Sequence, residues 1–171
     1  MNYSRTITWI VVAALSWYGM MAVHEAGHCL GALATGATIE AVKIPVIGFS
    51  RTDFSKGDCP LFVVWAGPLL GATMPVVLLA LLRAVGARAR HALQFFVGFC
   101  LLANGAYIGL GAFSGAGDCR QLAQHGSPGW TLVAFGVLSF GGGLYVWHRM
   151  GPLRNWFASN SRTGFDPMRA G

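Results

Sequence analysis

"MMAVHEAGHCLGAL", residues Met20 to Leu33, sets two histidines and a glutamate inside an apolar run that extends from Ile7 to Ala34 with no other charge. A run of this length crosses a bilayer as a helix, which takes roughly 20 residues. Ionisable groups inside such a span cost about 2.5 to 3.5 kcal/mol each on insertion scales, so three together call for a partner that offsets the cost. His24 and His28 are four residues apart and so differ by about 40° around a helix, which lets both imidazoles grip one ion from the same face. Glu25 stands beside them, placed to act on a water held by that ion. The pattern is HExxH and zinc is the expected ion. A chance pair of hydrogen-bonded histidines in a helix bundle is the competing reading.

Composition supports the membrane setting. Of 171 residues, 54% are hydrophobic and only 11% are charged, roughly half the charged fraction of a soluble domain. Four runs, 7–34, 61–82, 92–113 and 130–147, are long and apolar enough to span. The expected fold is an all-α polytopic membrane protein, residues 1–171 forming a single core with about four transmembrane helices. A cleaved signal peptide over 7–22 is the alternative at the N-terminus, but the apolar pattern runs on past the histidines, too long for such a segment. The chain has 12 Lys and Arg against 6 Asp and Glu, a formal charge of +6. No basic stretch is interleaved with aromatics, which argues against nucleic acid as a partner and leaves the cations as topology determinants at the lipid surface. Eight of them fall on the side of the N-terminus, second connection and tail, and four on the opposite side. Both termini are therefore expected on the cytoplasmic face. The Arg-rich, compact chain suits a bacterial cell membrane, and a homo-oligomer is compatible with it.

The first connection, 35–60, contains "TIEAVKIPVIGFSR", where β-branched residues flank Pro45 and Gly48. A short strand pair is expected there, with proline restricting it to an edge or a bend. The tail, 155–171, has turn formers and no sustained period, so loose order is expected. Cys29 and Cys100 lie in apolar runs and read as packing residues. A Cys59–Cys119 disulfide would require an oxidising compartment, and the absence of a CxxC pair argues against a cysteine zinc site. Gly141, Gly142 and Gly143 in the fourth run serve either a pliable gate or close helix packing.

A catalytic zinc ion takes three protein ligands and a water in the fourth position. Gly31 fits the extended metzincin pattern, but Ala34 stands where that pattern has its third histidine. The only other glutamate, Glu40, follows His28 by twelve residues within the strand-like segment, poor spacing for a ligand from a second helix. Asp53 and Asp58 lie in the first connection, and Asp118 follows the third run in "FSGAGDCRQL". At 1.5 Å per residue, His24 lies about 26 Å along a helix begun at Ile7, toward the non-cytoplasmic side. The third run crosses in the same direction and delivers Asp118 to that side. Asp118 is the candidate third ligand, against an ordinary loop carboxylate paired with Arg120.

These residues resemble the site-2 protease family of intramembrane zinc metalloproteases. The resemblance covers most of the chain: His24, Glu25 and His28 in the first core helix, the strand-like segment 41–50, Ala66, Gly67 and Pro68 opening the next helix, and the later Asp118. It implies three core helices, zinc held by two histidines and one aspartate, and cleavage of transmembrane proteins within or near the bilayer. The family's third-ligand motif places Asn, Pro and Asp-Gly within a few residues. Here Asn104 precedes Asp118 by fourteen residues without an intervening proline, and Cys119 follows the aspartate. Asn104 is accordingly either a substrate-binding residue or a buried amide satisfied by a neighbouring helix.

The expected chemistry is metal-assisted peptide hydrolysis, with Glu25 as general base and acid. The strand-like segment could hold an unwound substrate as an added strand, an arrangement that proline at Val46 is expected to break. Two other classes remain: a membrane protein that binds or transports a metal, and a catalytically idle scaffold of the same architecture.

Overall fold

The computed structural model describes residues 3–55, 60–82 and 87–151. Among them the chain forms α1 (Tyr3–Thr35), the strands β1 (Ile39–Lys43) and β2 (Arg51–Phe54), α2 (Leu61–Leu81), α3 (Ala87–Ser114), the short α4 (Asp118–Gln124) and α5 (Gly129–Arg149). Four helices, α1, α2, α3 and α5, are long and apolar enough to cross a bilayer, the architecture of a multi-pass membrane protein. Asp58, Cys59 and the tail 155–171 lie outside the described residues, and with them the expected Cys59 pairing and the expected order of the tail.

Helix α1 packs along α2, α2 against α3, and α3 most extensively against α5. Of the most apolar window of α3, 44% is buried in protein, against 17% for α1, so α3 is the inner helix and α1 turns most of its surface outward. That surface carries Ile7, Ile10, Val11 and Leu15, all exposed. Apolar exposure on this scale is suited to lipid and not to water. Met20 and Met21 of α1 bury against Cys100, Phe96 and Phe99 of α3. A second cluster, Val64, Ile108, Cys119, Leu122 and Leu132, joins α2, α3, α4 and α5. Gly109 of α3 faces Gly136 of α5 backbone to backbone, the close approach that small residues allow between membrane helices. Gly143 likewise abuts the Gly98 carbonyl and Leu102, whereas the space beside Gly141 is open. Within the glycine run, Gly143 thus serves close helix packing.

The expected strand pair is present, with most of the strand-like segment 41–50 in its turn. The strands β1 and β2 form an antiparallel hairpin with Val42 opposite Thr52 and Lys43 opposite Arg51, and residues 44–50 are the turn between them. Pro45 has no N–H for a ladder and Gly48 adopts φ 109°, so the chain reverses here, and of the edge or bend expected at the proline the bend is found. Val46 therefore lies in the bend, where a proline would interrupt no strand pairing. Helix α4 occupies part of the 114–129 connection. Seven residues burying only Cys119 and Leu122 are too few to show a helical period in the sequence.

Candidate metal centre

The site assembles from three helices and the hairpin. His24, Glu25 and His28 lie at the buried face of α1, with 6%, 2% and 4% of their surface exposed. For the imidazoles to sit there, α2 must come close without side chains. A methyl group on Gly67 would fall within the His28 ring, and one on Gly71 would press on the Asn104 amide at 2.7 Å. On the facing side, Gly27 and Gly31 of α1 lie against Ala66 and Val63 of α2. The glycines of "WAGPLLGA" thus make the volume in which the polar groups fit.

Asp118 opens α4, and its approach is set by backbone. Gly117 precedes it at φ 54°, a conformation that favours glycine, and a side chain there would strike the Tyr107 hydroxyl. The Asp118 N–H donates to that hydroxyl at 3.1 Å. Tyr107 in turn packs edge-on against His24 and stacks on Phe49 of the hairpin turn.

The polar contacts define the state of each ring. His28 Nδ1 lies 2.9 Å from the Val63 carbonyl, which can only accept, so Nδ1 carries the proton. His24 Nδ1 lies 2.7 Å from Asn104 Oδ1. The Asn104 amide orientation follows from its Nδ2 group, which donates to the Cys100 carbonyl at 2.9 Å, so His24 also carries its proton on Nδ1. Both Nε2 atoms are then lone-pair donors in the neutral rings. They lie 3.1 Å apart, and Asp118 Oδ2 is 2.9 Å from the first and 3.4 Å from the second. Three lone pairs converging in a buried pocket repel unless a cation sits among them.

The donor set suits a divalent metal ion. Two tetrahedral ligand atoms about 2.0 Å from one ion are about 3.3 Å apart, close to the three separations found. Two imidazole nitrogens and a carboxylate oxygen are donor types that would hold such an ion. His24, His28 and Asp118 are thus a candidate metal-binding triad.

Asp118 Oδ2 faces the Nε2 atoms of both imidazoles. Arg120, the other partner considered for it, donates through Nε to the Gly115 carbonyl. Burial and the neighbouring Asp118 push the Cys119 thiol up to about 11, and its Sγ donates to the Ile108 carbonyl at 3.4 Å. A neutral, committed thiol is a poor ligand. Elsewhere, Asp53 accepts from Lys43 Nζ at 2.6 Å and pairs with Arg51. These contacts hold its carboxyl below the usual range, the Lys43 hydrogen bond first and burial opposing. Glu40 accepts from Ser55 Oγ on the exposed face of the hairpin.

Glu25 Oε2 accepts from Thr52 Oγ1 at 2.6 Å, a contact between α1 and β2 that sequence reasoning did not find. Thr52, Tyr107, the Val63 carbonyl, Gly67 and Gly71 all support the site across long sequence separations. Gly67 was visible in advance as part of the Gly-Pro motif opening the second apolar run; for the others the advance signal was that buried ligands require partners. Asn104 reaches the site, but both ends of its amide are engaged by His24 and Cys100. Its amide is thus satisfied within the bundle and orients a histidine.

Fold and triad together define a class: a helical multi-pass membrane protein with a candidate metal centre between its first three spanning helices and the short helix that follows. No protein-family model, curated protein or solved structure matches the chain.

Proposed function

We propose that the chain is an intramembrane zinc metalloendopeptidase of the site-2 protease type, hydrolysing peptide bonds of transmembrane proteins from a bacterial cell membrane with both termini cytoplasmic. The observation that carries this reading is the convergence of His24 Nε2, His28 Nε2 and Asp118 Oδ2 within 2.9 to 3.4 Å of one another, beside a buried Glu25.

In this reading His24, His28 and Asp118 hold the ion, and Asn104 and the Val63 carbonyl fix the two imidazoles with Nε2 inward. Bound zinc supplies Lewis acidity, which polarises the scissile carbonyl and makes water a nucleophile near neutral pH. Glu25 takes a proton from the attacking water and returns it to the leaving amine. A substrate helix hides its carbonyls in its own hydrogen bonds and must be extended first. Among the described residues no further strand pairs with the hairpin beside α1, which leaves its edges suited to holding the substrate by strand addition.

The test compares wild type with Glu25→Gln, each reconstituted in liposomes with a quenched-fluorescence peptide bearing one transmembrane segment. The reading expects equal zinc content and cleavage reduced by at least about 100-fold in the variant. Equal cleavage by both would remove the peptidase assignment, and zinc binding without cleavage in either would favour a metal-binding or transport protein.

A further inference from the structure

In membrane-spanning helices a buried carboxylate must be held by donors, because lipid provides none. Glu25 is 2% exposed, and the group holding it comes from outside the helix bundle. Thr52 is the buried residue of β2, 8% exposed in a strand whose other positions are more open. Its hydroxyl proton points to Glu25 Oε2 at 2.6 Å, the short distance of a hydrogen bond to an ionised acceptor. The hairpin register places Thr52 opposite Val42. The turn is fixed to α1 below the site by the Tyr18 hydroxyl, which donates to the Val46 carbonyl at 2.9 Å, and by Trp17 packing on Phe49. Above it, Phe54 packs edge-on against His28. The strand is thus clamped on both sides of Thr52, and its β-branched side chain has little torsional freedom.

We propose that Thr52 is a positioning residue for Glu25: it occupies Oε2 and fixes the carboxylate rotamer so that Oε1 is the oxygen that exchanges protons with water and the leaving amine. This rests on the peptidase reading above. It gives the hairpin a second role, since displacement of β2 would free the general base as well as alter the strand edge.

The experiment uses the full chain, zinc-loaded, in liposomes with the same quenched transmembrane peptide, and compares wild type, Glu25→Gln, Thr52→Val and Thr52→Ser. Valine keeps the shape and removes the donor; serine keeps the donor. Expected for Thr52→Val are one zinc per chain as in wild type, unchanged KM, and kcat lower by about 10- to 100-fold, the usual cost of losing such a partner. Thr52→Ser is expected to recover most of that loss. Wild-type kcat in Thr52→Val, an equal loss in Thr52→Ser, or zinc loss in Thr52→Val would each overturn the assignment, the last two by making Thr52 a packing residue. If Glu25→Gln cleaves as fast as wild type, the peptidase reading fails; if it is inactive while Thr52→Val is fully active, only the role of Thr52 fails.

Discussion

Each imidazole of the candidate triad is oriented by a group outside the triad. His28 is turned by the Val63 carbonyl and His24 by Asn104, both through Nδ1. A ring freed from its partner can flip or take the other tautomer, presenting a proton where a lone pair is needed. Asn104 is 1% exposed and held by Cys100, so little else can replace it. Asn104→Ala is expected to weaken zinc binding by about 10- to 100-fold while the spanning helices persist, as measured by competition with a chelator of known affinity and by circular dichroism. Unchanged affinity would remove Asn104 from the site. The HExxH pattern was legible because its three members fall within one helical turn, where geometry is local. Asn104 was singled out, but its pairing with His24 in particular, like the parts played by Thr52 and Tyr107, was not legible, because tertiary packing alone brings them to α1.

At the scale of elements, α1 and α2 approach closely enough to leave no room for side chains between backbone and imidazole. Gly67 is the tightest point, since an added methyl would overlap the His28 ring. Gly67→Ala is expected to destabilise the protein by about 1 to 3 kcal/mol and to abolish stoichiometric zinc binding. Gly141→Ala, which meets nothing within 4 Å, should leave both unchanged. Thermal unfolding in detergent with zinc analysis checks both. The four spanning helices were readable in advance because an apolar run of about 20 residues admits few other structures. The hairpin was placed correctly in the chain, but its strands lie on either side of Pro45 and Gly48 and the centre is the turn. Helix α4 was missed, as two turns with two buried side chains carry too little pattern. That helix nevertheless begins with Asp118.

For the molecule as a whole, the candidate centre exists only when the bundle is assembled. The triad draws two ligands from α1 and one from α4, ninety residues on from His28, and α2 and α3 supply the carbonyl and amide that orient the rings. The direction of the helices was enough to bring Asp118 to the same side of the membrane as His24. It could not show that the aspartate meets both imidazoles and leaves Arg120 aside. Cys29 and Cys119, each next in sequence to a proposed ligand, provide an internal contrast, because sulfur and nitrogen or oxygen ligands differ in bond length. X-ray absorption at the zinc edge of the loaded, purified chain tests the centre most directly. Scattering from two imidazoles and from oxygen at about 2.0 to 2.1 Å is expected, with no sulfur shell. A sulfur shell at about 2.3 Å, or a spectrum unchanged when His24, His28 and Asp118 are all replaced by alanine, would contradict it.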